Sequence, residues 1–299
     1  MSVPLSRREW LAGTAAALGL PRAAPDADSD LSAIERRLHG RLGVAALDTG
    51  TGRQQRHRGS ERFPMCSTFK FLASAAVLAR IDAKSERLDR VVRYTKNDVL
   101  EYAPITKDHV ADGMTIEALI AAAIEYSDNT AANLLLSSIG GPGAVTQFAR
   151  GLGDAATRLD RNEPTLNDVR AGDVRDTTTP DAMLRDMQTL LLTPSRPDRF
   201  GGASGAAALS SASRELLTKW LVGNTTGNER LRAGLPKDWR VGDKTGTGPK
   251  GETNDIAIAW PPRRAPILIA AYLAGSAASA DDRNRALAEV GRVVAAHLV

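Results

Sequence analysis

Strand-like segments sit near both ends of this chain, and helical ones fill the middle. Gly43 to Leu47 and a segment approaching Phe63 read as strands, separated by the turn Asp48-Thr49-Gly50-Thr51-Gly52. Near the other end, Arg240 to Thr247, Asp255 to Trp260 and Ile267 to Ala274 read as strands. Between them apolar residues recur at three- and four-residue spacing, as in Phe69, Leu72, Ala73, Ala76 and Val77, and again in Ile116, Leu119, Ile120 and Ala123. Ala131 to Ile139, closed by Gly140-Gly141-Pro142, Asp181 to Leu192 and Ser213 to Val222 complete the helical set. Leu31 to His39, stopped by Gly40, and Asp281 to Leu298 read as terminal helices. The solution for this order is an α/β (α+β) two-lobe fold. One antiparallel five-stranded sheet is built from both ends and flanked by the terminal helices. An all-α lobe is inserted between its halves, with a cleft between the lobes for a small ligand.

The chain has 299 residues, of which 42% are hydrophobic and 25% charged, as expected for a folded globular protein. Its net charge of +4 is spread over 39 basic and 35 acidic residues. The only dense basic run, Arg53 to Arg58, reads as a solvated loop or edge strand, so no nucleic-acid partner is expected. The first 27 residues form a targeting segment: Arg7-Arg8 precedes the apolar run Leu11 to Leu20, which looks like a twin-arginine export signal. That run is too short to span a membrane, which takes about 20 residues. The expectation is a periplasmic or secreted protein with no stable membrane anchor. The catalytic region is expected over 28–299, with a sheet lobe at about 28–64 and 212–299 and a helical lobe at about 65–211. Cys66 is the only cysteine, so no internal disulfide can form. The four histidines are scattered, and neither metal nor cofactor is expected.

Three short motifs carry the chemistry. Ser67-Thr68-Phe69-Lys70 opens the first long helix, and residues three apart share a helix face. Ser67 can then be a nucleophile, with Lys70 as its base or polarising partner. Ser127-Asp128-Asn129 falls in a break between helices, where Asp128 can cap the following helix while Ser127 and Asn129 face the cleft. Lys244-Thr245-Gly246-Thr247-Gly248 lies on a strand, whose alternation sends Lys244 and Gly246 to one face and Thr245 and Thr247 to the other. Each motif alone arises by chance, and each has a plain structural explanation. Their conjunction, in this order, is specific.

With these motifs the chain resembles the class A serine β-lactamases over roughly residues 31 to 299. Glu163-Pro164-Thr165-Leu166-Asn167, in the long loop from Arg158 to Pro180, is similar to the family segment whose glutamate and asparagine hold a hydrolytic water. Asn162 stands where a family tryptophan is often found. Arg161 and Asp176 match the pair that pins this loop. Asn224-Thr225-Thr226-Gly227 with Arg230 resembles a segment that supplies an arginine for the substrate carboxylate. Glu101-Tyr102 matches the cleft wall. The segment Thr193 to Ser211 is longer than the family pattern.

The resemblance implies a monomer that hydrolyses a small β-lactam through an acyl-enzyme on Ser67. Lys244, Thr245, Gly246, Thr247 and Arg230 would bind the substrate with Asn129, Asn167 and Tyr102. The backbone N–H groups of Ser67 and Thr247 would form the oxyanion hole. Ser127 would relay a proton, Lys70 or Glu163 through water would be the acylation base, and Glu163 would drive deacylation. A D-alanyl-D-alanine peptidase shares the first three motifs but lacks this glutamate, and a non-catalytic β-lactam sensor is expected to hang from a transmembrane region, which no segment here provides. A generic esterase is disfavoured by the absence of a G-x-S-x-G elbow. Cys66 is expected to be a buried, inert thiol. Gly248 stands in the region where some relatives carry a bridging cysteine.

Overall fold

The computed structural model describes residues 27–168, 170, 172–192 and 208–299. The export segment and most of the Thr193–Ser211 stretch lie outside the described residues.

Helix α1 (Ala27–Leu38) leads into the hairpin β1 (Arg41–Asp48) and β2 (Gln54–His57), then the short β3 (Phe63–Pro64). A 3₁₀ turn, Cys66–Thr68, runs straight into α2 (Phe69–Asp82). Strand β4 (Val91–Val92) pairs with β5 (Met114–Thr115), which leads into α3 (Ile116–Glu125). Helices α4 (Asn129–Ile139) and α5 (Pro142–Gly151) follow, then the long loop, β6 (Thr177–Thr178) and α6 (Pro180–Leu191). Helix α7 (Ser211–Val222) and the single turn α8 (Leu231–Gly234) precede β7 (Arg240–Thr247), β8 (Thr253–Trp260), β9 (Ile267–Ala274) and α9 (Ala280–Leu298).

Strands β1, β2, β7, β8 and β9 form the expected five-stranded antiparallel sheet, in the order β2-β1-β9-β8-β7, with β2 at Gln54–His57 rather than in the segment approaching Phe63. Strand alternation divides the core in two. On one face Leu42, Val44, Ile267, Ile269 and Leu273 pack against Leu31 and Leu38 of α1 and Leu287, Val290 and Val294 of α9. On the other, Ala45, Leu47, Leu268, Ala270 and Tyr272 pack against the helical side, reaching Phe69, Leu72, Leu119, Leu135 and Met183. Burying each large side chain contributes roughly 1.5–3 kcal/mol.

Local chemistry explains most boundaries. Helix α1 starts at Ala27, earlier than the apolar pattern shows, because Asp28 and Asp30 fill its first turn and favour the dipole there. The β1–β2 turn closes on Asp48, whose carbonyl accepts Gly52 N at 2.8 Å and whose Oδ1 accepts Gly50 N at 2.9 Å. The basic run Arg53–Arg58 falls on β2, a sheet edge, where Arg58 grips Glu35 through Nε and Nη2, each at 2.7 Å. Helix α5 escaped the sequence reading. Gly140-Gly141-Pro142 ends α4, with Gly140 at φ 97°, but Pro142 also begins α5 at its first position. The described part of the Thr193–Ser211 stretch, residues 208–211, carries Ser210, the N-cap of α7. Ser210 and Ser213 both donate to Asp82 at the end of α2.

Two buried carboxylates fix the segments that frame the cleft. Asp128 caps α4 by accepting Ala131 N at 2.9 Å, and its carboxylate also takes Ile105 N at 3.0 Å and Thr106 N at 2.9 Å. It thereby ties the α3–α4 break to the chain around Thr106. Asp176 plays the same part in the long loop. Its Oδ1 accepts Asp160 N at 2.7 Å and Arg161 N at 3.0 Å, and its Oδ2 accepts Arg161 Nε at 2.6 Å. At the loop's base Arg158 bridges to Thr177, and the Thr157 and Thr178 hydroxyls lie 2.6 Å apart.

Two outcomes are expected. Asp128→Ala strands several buried amide donors and should lower the unfolding free energy by about 3 kcal/mol or more in urea titration. Asp176→Ala strands two backbone N–H donors and leaves the partly buried Arg161 without its carboxylate, which should cost about 2–4 kcal/mol. Limited proteolysis should then cut first between residues 158 and 180, before the sheet unfolds.

Candidate active site

The 3₁₀ turn that leads into α2 puts Ser67 at the helix N-terminus and Lys70 one turn on, facing the same way. Lys70 Nζ lies 2.9 Å from Ser67 Oγ. Cys66, just before the serine, has φ 45°, and Ser127 has φ 57°. For residues with a Cβ this left-handed backbone costs about 1–3 kcal/mol, and such strain tends to collect at functional sites. The Cys66 side chain is buried, and burial pushes its thiol well above the usual range, so it is no thiolate nucleophile.

Lys70 is the centre of the site. It is wholly buried. Besides Ser67 it donates to Asn129 Oδ1 at 2.6 Å and to the Ser127 carbonyl at 2.7 Å, and lies 3.4 Å from Ser127 Oγ. Glu163 Oε1 is 3.3 Å from Lys70 Nζ and 3.3 Å from Ser67 Oγ. Burial holds the Lys70 ammonium below the ordinary lysine range, and the Glu163 charge works against that fall.

Glu163 is held from three sides. Asn167 Nδ2 donates to its Oε2 at 2.8 Å. Asn133, on α4, takes the Glu163 N–H on its Oδ1 at 3.0 Å and donates to the Glu163 carbonyl at 2.9 Å. The Glu163–Pro164 peptide is cis. Asn167 Oδ1 is buried and has no protein partner among the described residues.

The opposite wall is β7. Lys244, also fully buried, donates to Ser127 Oγ at 3.0 Å and to the Thr245 carbonyl at 2.8 Å. Burial, reinforced by the Lys70 charge, holds its ammonium well below the usual value. Gly246 lies against the turn that carries the serine. A Cβ there would sit 2.7 Å from the Met65 carbonyl oxygen and 3.2 Å from Ser67 N, so only glycine allows this approach. Thr245 shares a 2.5 Å hydrogen bond with Thr226. Arg230 Nη2 donates to Thr247 Oγ1 at 2.7 Å, and its Nη1 donates to the carbonyls of Gly246 and Asn254.

These groups enclose a cleft of about 470 Å³. Ser67, Tyr102, Ser127, Asn129, Glu163, Asn167, Arg230, Thr245, Gly246 and Thr247 all line it, with Thr226 beside them. Lys70 and Lys244 stand behind the lining. Every residue expected at the site is thus gathered there, with Arg161 and Asp176 bracing the loop from behind. Three supporting residues were not foreseen. Asn133 clamps the Glu163 backbone, Asn284 accepts from Arg230 Nε at 2.9 Å, and Asp243 accepts from Asn224 and Arg232 behind Lys244. Each is one polar residue on a helix or strand, and only the tertiary contact gives it meaning.

Among the described residues no helix is long and apolar enough to cross a membrane, and no cluster of His, Cys, Asp and Glu is arranged to hold a metal ion.

Comparison with known proteins agrees with this geometry. Residues 26–298 match the beta-lactamase enzyme family. The chain is 45% identical over 271 residues to the β-lactamase CTX-M-8 of Citrobacter amalonaticus, covering 91% of this chain and 89% of that protein. It is 46% identical over 268 residues to the β-lactamase AST-1 of Nocardia asteroides, covering 90% and 82%. Among solved structures, the class A β-lactamase of the last common ancestor of Gram-negative bacteria superposes with a TM-score of 0.85 at 57% identity, covering 91% of this chain and 99% of that one. The putative class A enzyme PenP of Rhodopseudomonas palustris gives 0.83 at 53% identity, covering 90% and 98%. With its two-lobe fold, its cleft and these relatives, the chain belongs to the class A serine β-lactamases and hydrolyses the β-lactam ring.

Proposed function

We propose that Ser67 is the acylated nucleophile, Lys70 its base, Ser127 the proton relay and Glu163 the base for deacylation. The observation that carries this reading is the position of Glu163 Oε1, 3.3 Å from both Ser67 Oγ and Lys70 Nζ, on a loop clamped by Asn133 and Asn167.

The substrate carboxylate lies toward Lys244, Thr245, Thr247 and Arg230. Its ring carbonyl oxygen takes the N–H groups of Ser67 and Thr247, and one such donor is typically worth about 10²–10³ in rate. Asn129 and Asn167 hold the acyl side chain, with Tyr102 as the outer wall. Lys70 Nζ, 2.9 Å from Ser67 Oγ, takes its proton when in the amine form, which burial favours over the ammonium. The serine oxygen bonds to the carbonyl carbon. The ring C–N bond breaks, and Ser127 gives its proton to the leaving nitrogen. Lys70 or Lys244, both in contact with Ser127 Oγ, restores that proton. Glu163 and Asn167 then hold a water. Glu163 takes its proton as the oxygen attacks the ester carbon, and Ser67 leaves reprotonated. The product is the ring-opened, inactive antibiotic.

We also read residues 1–27 as an export signal, which places the enzyme in the periplasm or outside the cell. The support is the Arg7-Arg8 pair ahead of Leu11 to Leu20.

Purified enzyme mixed with excess benzylpenicillin tests the roles, with ring-opening absorbance and intact mass followed together. Wild type should give many turnovers and recovered free enzyme. Glu163→Ala should accumulate a stoichiometric adduct, its deacylation slowed by at least about 10²-fold, the usual worth of a general base. Rapid turnover by that variant would remove Glu163 from the mechanism. Ser67→Ala should form no adduct at all. As pH falls through the lowered Lys70 value the amine takes up a proton, so acylation should slow on the acid side.

A further inference from the structure

The loop that carries Glu163 is entered from the end of α5 and left through α6. Its entry turn is built on Asp154, whose Oδ1 accepts Ala156 N at 2.6 Å and Thr157 N at 3.0 Å. Thr157 in turn meets Thr178 across the loop's base. Asp186 lies in the second turn of α6. Both aspartates are buried, 2% and 1% exposed, and their carboxyl groups are in hydrogen-bond contact. The Oδ2 atom of each has no donor among the described residues. Two carboxylates can only accept, so contact between them at this depth requires a proton.

The surrounding charges do not replace that proton. Arg150, on α5, donates to the carbonyls of Asp154 and Thr157 at 2.5 and 2.7 Å. Arg185, on α6, is exposed. Tyr272, from β9, meets the Thr68 hydroxyl at 3.3 Å, and burial holds its own phenol proton in place. Neither arginine forms an ion pair with Asp186 among the described residues.

We propose that Asp154 and Asp186 share one proton, and that this acid pair is a clasp that holds the entry turn of the loop to α6 and so positions Glu163 for deacylation. This rests on the reading of Glu163 as the deacylating base. Burial first, and then the Asp154 charge, raise the Asp186 carboxyl to about 9. The clasp is closed at neutral pH. Above about pH 9 hydroxide removes the proton, two buried carboxylates face each other, and the turn is driven from α6. The folded-state value is raised, so the folded chain holds a proton that the unfolded chain gives up near 3.8. The stability contributed by this group is lost as pH rises from about 4 to about 9 and is level beyond.

The test follows decay of preformed benzylpenicilloyl-enzyme by intact mass between pH 7 and 10.5, for wild type, Asp186→Asn and Asp186→Ala. Wild-type deacylation should fall about tenfold between pH 8 and pH 10 as the proton is lost. Asparagine keeps a donor toward Asp154 without a charge to lose, so its profile should change by no more than about twofold. Alanine leaves Asp154 Oδ2 without a donor, and adduct should accumulate already at pH 7, with asparagine restoring turnover. Coincident alkaline profiles for wild type and Asp186→Asn would overturn the proposal, as would wild-type deacylation by Asp186→Ala. Thermal unfolding without substrate gives an independent readout. The Tm advantage of Asp186→Asn over wild type should widen from pH 5 to pH 9, and a constant difference would exclude the shared proton. If Glu163→Ala itself turns over, the role of Glu163 fails, while the unfolding series still reports on the proton.

Discussion

The burial of the Lys70 amine is the constraint on which the site depends. An ammonium placed where no solvent reaches it must be met by protein oxygens or give up its proton. The fold supplies those oxygens on four residues from three places: Ser67 one turn back, Ser127 and Asn129 at the α3–α4 break, and Glu163 from the long loop. No one element can satisfy Lys70. Ser67, Ser127, Asn129 and Glu163 therefore converge because one buried nitrogen needs them all. The same burial that demands partners also lowers the proton affinity of the amine, which is what a base for serine requires.

The architecture serves this convergence. The sheet and its two flanking helices form an apolar core with no catalytic residue in it. Only the opposite face of the sheet meets the helices that carry Ser67, Lys70 and Asn129, so the chemistry lies at the seam between the lobes. Asp128 and Asp176 keep the two irregular segments at that seam in place. Both do so by accepting backbone N–H groups that helix and strand geometry leave over. The loop, which has little regular structure, is rigid where it matters because asparagines from α4 and from within the loop replace the missing ladder.

Much of this was legible in the sequence. Strands β7 and β9 were bounded to the residue, since alternation and turn residues agree at both ends. The residues that meet in the cleft are readable because S-x-x-K, S-D-N and K-T-G keep local spacing, and helix and strand periodicity converts spacing into direction. Helix α5 was missed because its Gly-Gly-Pro opening also reads as a terminator, and its apolar positions are few. Asn133, Asn284 and the Asp154–Asp186 contact were invisible for another reason. Nothing local distinguishes a polar residue bound for the interior from one bound for water. Only the contact of the loop's entry turn with α6, or of α4 with the loop, decides it.

Strand β7 lies at an edge of the sheet. An edge strand offers unpaired amide and carbonyl groups, and in most proteins that row invites unwanted pairing between molecules. Here α7 covers the first half of the strand, with Gly242 packed close to Leu221 and Val222. The second half, Thr245 to Thr247, lines the cleft, whose other walls carry Tyr102 and the long-loop residues Glu163 and Asn167. A small molecule in the cleft can therefore reach this stretch of backbone. An amide-bearing ligand laid along it would take the place of a sixth strand, so the feature that makes an edge an aggregation hazard also makes it a recognition surface.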